Sequence, residues 1–413
     1  MKVQVKLSSA VPEGRGLVAE QPIRRGEPLL RVPERLLITP DTALRESSIG
    51  ALLDHAALPA WSVLAALLAE LKFGLPGSRD RWGPYIDALP AQNGSVLEWS
   101  ADEIAMLQGS SLEKAAKDIT AATAVSWEEL QPVLADGCAQ GLVPRDLLSR
   151  EAFTWSFSTL LSRLVKLPGS GGVDTLVPWA DMLNHSPSVS AFFQYDAGTR
   201  SVVLQPDKAY QRGEQVYISY GQKTSGQLLL SYGFMPEAGT NPHDACMLEL
   251  KLSEDDPTFQ SKAACLRQYG AEATRDFPLR LDALPQALLL FAAFQQAQTR
   301  DAAEVMFVGR ELFEEGRFPV LHGCNLESVA VDAVLDACRT ALSNLKGSMD
   351  GDKDAIGQLA QDSSKHVANA ASMRRMSILQ LRIQERRILN KTVSVLVSQR
   401  RQIAPQRQAV QKR

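Results

Sequence analysis

The spacing of the apolar residues changes three times along this chain, and this change constrains the fold more than any other feature. Residues 1–40 alternate as short strands punctuated by glycine and proline. From about residue 41 to 165 the spacing is helical, as in Trp61–Gly74, whose last residue predicts a helix C-cap. Residues 174–220 alternate again. Strand-like blocks on both sides of a helical block predict one β layer with a helical insertion.

Helical spacing returns after about residue 245. Pro285–Gln298 and Asn325–Leu345 both carry apolar residues at helical intervals, and Asn325 predicts an N-cap. The polar stretch Ser348–Asp354 predicts a linker before the final helix. We therefore predict an α+β fold whose second part is an all-α lobe.

The predicted domain limits follow from these changes of pattern. The first domain covers residues 1–245 and contains the insertion of about 41–165, and the lobe covers residues 246–413. A chain of 413 residues with 45% hydrophobic residues and a net charge of -3 is typical of a globular protein with two or three domains.

Composition also argues against several other classes. The longest apolar runs fall short of the ~20 residues that cross a bilayer, so we expect no membrane span. The start of the chain shows no secretory signal and no transit peptide. The five cysteines contain no C-x-x-C spacing, so we expect neither a metal site nor a disulfide framework.

One motif match near the N-terminus is rejected because the residues that follow it cannot form the required helix. Gly14–Ala19 matches the dinucleotide fingerprint G-x-G-x-x-G/A literally. That fingerprint must open a helix, and Pro22, Gly26 and Pro28 leave no room for one. Motifs of nucleotide hydrolases, zinc peptidases and α/β-hydrolases are missing from the sequence.

Three other segments carry the functional argument together. They are GRGLVAEQPIRRGE from Gly14, PWADMLNHSP from Pro178 and GEQVYISYGQKTSGQLLLSYGF from Gly213. In this order they resemble the SET domain, and more narrowly the Rubisco large-subunit methyltransferase class. RWGPYIDALP from Arg81 and RIQERRILNKTV from Arg382 are similar to the same class. The resemblance implies a split SET domain and a helical substrate-binding lobe.

The same resemblance implies an activity. A member of this class is an S-adenosylmethionine-dependent lysine N-methyltransferase that acts on a folded protein such as the Rubisco large subunit or aldolase. Two alternatives remain open, namely histidine N-methylation by the same fold and a catalytically silent module that binds peptides. Neutral imidazole needs less pKa adjustment than lysine. Tyr232 favours lysine, because the resemblance implies that histidine methyltransferases lack this tyrosine.

The glycines near the N-terminus are candidates for binding the cofactor. Gly14 and Gly16 have no Cβ, so their backbone can approach a ligand closely, although a simple turn would also explain them. The resemblance implies that Glu13, Gly14 and Arg15 contact the methionine part of S-adenosylmethionine. It also implies that Asn184 and His185 hold the adenine and amino ends, where turn chemistry is the alternative.

Two tyrosines carry the catalytic hypothesis. Methyl transfer needs an unprotonated amine, and a free lysine with a pKa near ~10.4 is neutral at pH 7 only at a cost of about 4 to 5 kcal/mol. A dry channel and a neighbouring sulfonium both lower that pKa, and hydroxyls can orient the neutral amine. By resemblance, Tyr220 is the catalytic tyrosine beside the cofactor and Tyr232 lines the lysine channel. Ordinary packing of strand tyrosines is the alternative.

The candidate substrate residues rest on the resemblance alone. Ser162 and Arg163 match a Ser-Arg pair that lines the substrate groove, and Asp181 helps to wall the channel. The second arginine of the family corresponds to Leu167 here. Whether the neighbouring Lys166 compensates for that charge stays open, and with it the exact substrate.

Two further positions on the substrate side match the family pattern less clearly. An aromatic wall residue falls on Tyr195, Phe193 or Phe192, of which we assign Tyr195. The family's Ser-Asn-Ala-Glu after the catalytic tyrosine reads Thr224–Gln227 here, so the carboxylate is lost.

The C-terminal segment is strongly basic. Residues 373–413 hold eleven Lys and Arg and one acidic residue, Glu385, so their net charge is +10. The rest of the chain therefore has a net charge of -13, which gives the total of -3. Apolar residues at helical spacing predict that one side of this helix is packed. We expect a protein substrate to dock on the lobe, with no nucleic-acid or membrane partner, and a monomeric enzyme. The resemblance implies the chloroplast stroma, with the cytoplasm as the alternative.

Overall fold

The computed structural model describes residues 4–75, 81–169, 171–365 and 370–410. The chain divides into two compact units. Unit 1 comprises Met1–Ala101 and Ala115–His243, and unit 2 comprises Asp102–Lys114 and Asp244–Arg413. The division after His243 lies close to the boundary expected near 245. Residues 102–114 belong to unit 2, although the sequence pattern assigned them to the insertion of the first domain.

Short strands of unit 1 pair in several small sheets. They are β1 (Val5–Ser8), β2 (Gly16–Ala19), β3 (Leu30–Pro33), β4 (Val165–Lys166), β5 (Asp174–Thr175), β6 (Asn184–His185), β7 (Gln194–Asp196), β8 (Ser201–Leu204) and β9 (Tyr217–Ile218). The pairs β1–β2 and β4–β5 and the sheet β3–β8–β7 are antiparallel, whereas β6 and β9 pair in parallel. Strand β3 precedes the insertion and β8 follows it, so strands from both sides of the insertion pair with each other. The strands form several small sheets and not the one continuous layer that the sequence pattern predicted.

The helical insertion supplies most of the remaining core of unit 1. The helices in and around it are α1 (Pro40–Glu46), α2 (Gly50–His55), α3 (Ala60–Phe73), α4 (Gly83–Ala88), α5 (Ala101–Ala105), α6 (Leu112–Ala139), α7 (Arg150–Arg163) and, after β9, α8 (Ser225–Tyr232). The helix α3 is apolar on nearly all sides and is buried against α7. The Ser149 side chain caps α7 by accepting from the Ala152 N–H at 3.1 Å. This helix therefore delivers its last turn, Ser162–Arg163, to the candidate site.

Unit 2 is mainly helical. Its helices are α9 (Phe259–Gln268), α10 (Gln286–Gln296), α11 (Ala302–Gly309) with a π-helical turn at Arg310–Glu314, α12 (Leu326–Asn344), α13 (Met349–Lys365) and α14 (Ala370–Val410). As predicted, Asn325 caps α12, accepting from the Ser328 N–H at 3.2 Å. The polar stretch predicted to be a linker is instead part of α13. The α+β class is confirmed.

The description of the lobe as all-α needs correction. Two antiparallel strand pairs lie within it, β10 (Cys246–Lys251) with β11 (Thr274–Leu279) and β12 (Val320–Leu321) with β13 (Cys324–Asn325). In β10 the side chains of Cys246, Leu248 and Leu250 are buried and alternate with more exposed neighbours. This period of two was the signal for a strand. No helix in the described ranges is both long and apolar enough to cross a membrane.

Candidate active site

Two backbone pairings in unit 1 bring the three candidate segments together. The Val216 N–H donates to the Leu17 carbonyl at 2.9 Å, so the glycine segment lies beside the residues before β9. The parallel pairing of β6 with β9 sets Asn184 opposite Tyr217 and His185 opposite Ile218. Segments far apart in the sequence therefore form one site.

Asn184 links the glycine segment to the rest of the site. Its side-chain amide donates to the Arg15 carbonyl and to Gln215 Oε1, both at 2.8 Å. A Cβ on Gly16 would lie 2.6 Å from Asn184 Nδ2, so a larger residue there would displace this side chain. A Cβ on Gly14, which has φ +82°, would meet no atom within 4 Å. Both donors of Asn184 are used internally, and Oδ1 accepts no hydrogen bond from the described residues.

The residues flanking Gly14 are held from different sides. Glu13 accepts from Gln215 Nε2 at 2.8 Å and from the Tyr217 hydroxyl at 3.2 Å. Arg15 reaches Met182, with 3.8 Å between its Nη2 and the sulfur. Burial lowers the pKa of Arg15, and the neighbouring Arg163 guanidinium lowers it further. Glu13 and Arg15 thus border the same strand end as Asn184.

The imidazole of His185 is neutral. The Tyr220 backbone N–H donates to its Nδ1 at 3.0 Å, while the Ile218 carbonyl lies 3.3 Å from the same atom. Because a backbone N–H can only donate, Nδ1 is the acceptor and the ring proton lies on Nε2. Burial lowers the pKa of His185, which agrees with a neutral ring. The ring stacks on Tyr220 at 5.1 Å between centroids.

Tyr220 and Tyr232 form an aromatic pair. Their rings stack with centroids 4.6 Å apart and an angle of 26° between planes. The Tyr220 hydroxyl donates to the Leu183 carbonyl at 2.7 Å. Burial raises the pKa of Tyr220 far above its ordinary value and that of Tyr232 to about 12. Both phenols are therefore neutral at physiological pH and contribute no anion.

Asp181 anchors a buried polar cluster. One of its oxygens accepts from the Tyr85 hydroxyl at 2.6 Å, and Arg163 Nη1 lies 3.5 Å from the same oxygen. The Arg163 guanidinium also donates to the Asp181 carbonyl at 2.7 Å. Burial raises the pKa of Asp181, and the neighbouring Arg163 opposes this effect. The negative charge of the carboxylate and the positive charge of the guanidinium therefore largely cancel.

A cavity of about 200 Å³ lies beside Asp181, Arg163, Tyr220 and Tyr232, and of the residues assigned to the cofactor only Tyr220 lines it. Its wall contains Ser162, Arg163, Leu164, Val165, Lys166, Asp181, Phe192, Phe193, Ile218, Tyr220, Lys223 and Tyr232. Four of the five residues assigned to substrate are thus brought to one cavity together with the candidate catalytic tyrosine. Its dimensions suit a single narrow side chain and are too small for a nucleotide-sized ligand.

Tyr195 is the exception among the assigned substrate residues. It lines a separate open groove, where its hydroxyl donates to Glu34 Oε2 at 2.6 Å. The Arg200 guanidinium donates to both oxygens of the same carboxylate. Together with the Tyr195 hydroxyl, it lowers the pKa of Glu34 to about 2. Phe192 and Phe193, the other two candidates, line the cavity instead. Tyr195 lies within β7 and bonds to Glu34, which directly follows β3, so a contact between distant segments of the chain holds its side chain away from the cavity.

Several buried polar atoms at the site have no partner among the described residues. They are Arg163 Nε, Asp181 Oδ1 and Trp179 Nε1. Trp179 also has φ 73°, an unusual value for a residue other than glycine. Buried polar atoms are normally hydrogen-bonded, so the unpaired Arg163 Nε and Asp181 Oδ1, whose residues line the cavity, indicate a site built to receive a ligand. Sequence reasoning missed Trp179 and Tyr85, although both belong to motifs that it had noted.

The comparisons with known proteins agree with this geometry. The SET domain family matches residues 14–221, and the Rubisco LSMT substrate-binding family matches residues 253–389. The chloroplastic Rubisco large subunit N-methyltransferase of Pisum sativum is 31% identical over 374 residues, covering 86% of this chain and 72% of the relative. The chloroplastic fructose-bisphosphate aldolase-lysine N-methyltransferase of Arabidopsis thaliana is 29% identical, covering 92% and 77%.

Solved structures give the same result. The SET domain of LSMT bound to lysine and AdoHcy matches with a TM-score of 0.75 and 26% identity, over 96% of this chain and 87% of that one. Rubisco LSMT bound to AdoMet matches with a TM-score of 0.74. The fold and the site thus define a SET-domain methyltransferase.

The chain belongs to the SET-domain family, in the class of the Rubisco large-subunit methyltransferases. It is a protein-lysine N-methyltransferase that uses S-adenosylmethionine. Its second domain is of the type that binds a protein substrate.

Proposed function

We propose that this enzyme methylates a lysine of the Rubisco large subunit or of fructose-bisphosphate aldolase, as a monomer in the chloroplast stroma. The observation that carries the proposal is the similarity to two plant enzymes named for these substrates, which extends over most of both chains. It includes the substrate-binding domain at residues 253–389. Both relatives are named chloroplastic, which supports the compartment.

We assign the cofactor to the glycine segment and the end of β6, and the residues fit it. S-adenosylmethionine, when bound, supplies a methyl group on a positively charged sulfur. The backbone at Gly14 borders open space, and Asn184 Oδ1 is available to accept an N–H. The Nε2–H of His185 is available to donate. The residues assigned to holding the cofactor are Glu13, Gly14, Arg15, Asn184, His185 and Tyr220.

The substrate lysine is assigned to the cavity. Since the Tyr220 hydroxyl proton is engaged by Leu183, the lone pairs of its oxygen are left to accept from the amine. Tyr232, stacked on Tyr220, restricts the lateral movement of the amine within the cavity. The one carboxylate in the wall, Asp181, is compensated by Arg163 and Tyr85, so little favours an ammonium. The chain's own groups thus align a neutral amine, with Ser162 completing the wall.

The proposed substrates can be tested directly. Purified Rubisco and aldolase, each incubated with S-adenosylmethionine and the enzyme, should gain mass in steps of one methyl group in intact-mass spectrometry. Fragment mapping should locate the methyl groups on lysine. If a histidine carries them, the reaction is the rival one, and if neither protein is modified, the assignment of substrate is wrong.

The assignment of Asn184 predicts a loss of cofactor affinity in Asn184→Ala. The substitution removes the free acceptor and loosens the Arg15 carbonyl, so S-adenosylmethionine should bind about 1 to 3 kcal/mol more weakly. Titration calorimetry with the cofactor measures this difference.

A matched control is Asn93→Ala. Asn93 also lies in unit 1 and donates to Thr159 Oγ1 at 3.1 Å, but it is not assigned to the cofactor. This variant should bind S-adenosylmethionine as the wild type does. Equal affinities of all three proteins would remove Asn184 from the cofactor site.

A further inference from the structure

Lys223 is a cation in the cavity wall that has no ion-pair partner among the described residues. Lys223 lies in the loop between β9 and α8 and lines the cavity together with Tyr220 and Tyr232. Its backbone is held on both sides, because its N–H donates to the Gly221 carbonyl at 2.9 Å and its carbonyl accepts from Asn241 Nδ2 at 3.0 Å. The position of its side chain at the cavity is therefore set by the fold of the loop.

The surroundings of Lys223 differ from those of another buried lysine in this chain. Lys262 is fully buried in unit 2, where its ammonium contacts Asp256 at 2.6 Å and the Ala297 carbonyl at 2.7 Å. Lys223 is half-buried, and no carboxylate of the described residues lies within ion-pair distance of it. Burial lowers the pKa of Lys223. A desolvated cation without a counter-ion costs stability, so folding alone gives no reason for it.

The charged groups that face Lys223 leave the cavity positive. The wall contains Arg163, Lys166 and Lys223 as cations and Asp181 as the only carboxylate. That carboxylate is already paired with Arg163. The phenols of Tyr220 and Tyr232 are neutral and so is His185, and the charge of Lys223 contributes to lowering the pKa of the His185 ring.

We propose that Lys223 is a positioning residue that keeps the substrate lysine neutral, because its ammonium destabilises a second ammonium in the same small cavity. The inference rests on the proposed function, since it requires the cavity to receive the substrate lysine. A cavity of this volume is about 7 Å across, and at that separation two like charges shift a pKa by about 1 unit or more in a protein environment. The amine would then enter already deprotonated.

The test compares charge and shape at this position. We choose Nε-monomethyllysine carrying a ¹³C-methyl group as the probe, bound in the presence of S-adenosylhomocysteine, because the methyl chemical shift follows protonation of the amine. In Lys223→Gln the pKa of the bound probe should rise by about 1 unit, because a repelling charge is gone. Lys223→Arg keeps the charge and should keep the wild-type value. Lys6→Gln removes an exposed lysine and should also leave it unchanged.

A kinetic readout accompanies the binding experiment. The pH profile of kcat in Lys223→Gln should move toward alkaline pH by the same amount, giving about tenfold slower turnover at neutral pH and equal turnover on the alkaline plateau. A kcat lowered by one factor at every pH would instead reveal a purely structural role.

The possible failures can be told apart. If wild-type enzyme with S-adenosylhomocysteine binds no monomethyllysine, both the proposed function and this inference are overturned. If the probe binds but its pKa is the same in wild type and Lys223→Gln, only the inference is overturned. The same holds if Lys223→Arg behaves like Lys223→Gln, because the charge would then not be the cause.

Discussion

Tyr220→Phe is expected to lower kcat about 10²-fold, roughly 2.7 kcal/mol, which is the scale for losing one preorganised polar contact to a transition state. The substitution removes only the hydroxyl that donates to the Leu183 carbonyl and faces the cavity. The ring stacks on His185 and Tyr232 remain possible, so affinity for S-adenosylmethionine should change little. Single-turnover kinetics with saturating cofactor measure the chemical step.

The control for this prediction is Tyr210→Phe. Tyr210 is fully buried in the same unit, and its hydroxyl accepts from the Tyr217 N–H at 3.5 Å. The same atom is removed, but away from the cavity wall, so kcat should stay within about twofold of wild type for a loss of ~0.5 kcal/mol or less. If Tyr220→Phe also keeps wild-type kcat at neutral and alkaline pH, the tyrosine only packs and has no catalytic role.

Asp352→Ala should destabilise unit 2 by about 3 to 5 kcal/mol, because removing one partner of a buried ion pair leaves the other charge uncompensated. Asp352 on α13 accepts from Arg382 at 2.6 Å and from Arg386 at 2.5 Å, both on α14, and all three side chains are buried. Burial lowers the pKa of Arg382, and the Asp352 carboxylate opposes this. Without the carboxylate, two guanidiniums would share a dry environment.

Two optical signals can separate the units in a denaturant titration. The six tryptophans all lie in unit 1, at positions 61, 82, 99, 127, 155 and 179. Far-ultraviolet circular dichroism, in contrast, also includes the long helices α12, α13 and α14. In Asp352→Ala part of the helical signal should be lost at lower denaturant than the tryptophan signal.

The matched control is Asp350→Ala on the same helix. Asp350 is exposed and forms a surface ion pair with Lys353 at 3.1 Å, so its removal should change stability by less than about 0.5 kcal/mol. Coincident unfolding of Asp352→Ala, Asp350→Ala and wild type would mean that the buried triad contributes no net stability to unit 2.

Local patterns predicted the elements whose signals lie within one stretch of chain. The helices α3, α10 and α12 follow from apolar spacing, and Asn325 marks the start of α12 because a cap bonds within three residues. The Ser348–Asp354 stretch was misread as a linker. Its polarity resembles that of a loop, but Asp352 finds its partners on α14, thirty and more positions away. Such partners leave no local signal.

In the candidate site, too, some features follow from local sequence patterns and others depend on contacts between distant segments. The motifs around Gly14, Asn184 and Tyr220 predicted its centre, because those residue types were recognisable in order along the chain. The placement of Phe193 in the cavity wall and of Tyr195 on Glu34 could not be derived from the sequence, because it depends on contacts with segments that are distant in the chain.

The sequence by itself determined the class of the protein, and it predicted a two-part organisation and the residues at the centre of the candidate site, because these depend on local periodicity and on ordered motifs. Only the tertiary structure decided which distant groups complete the cavity. It pairs Asp181 with Tyr85 and Arg163, engages the Tyr220 hydroxyl with the Leu183 carbonyl, and gives Lys223 no carboxylate partner in the part of the chain that the structure describes. The charge of the cavity depends on distances between separate segments, and those distances exist only once the chain has folded.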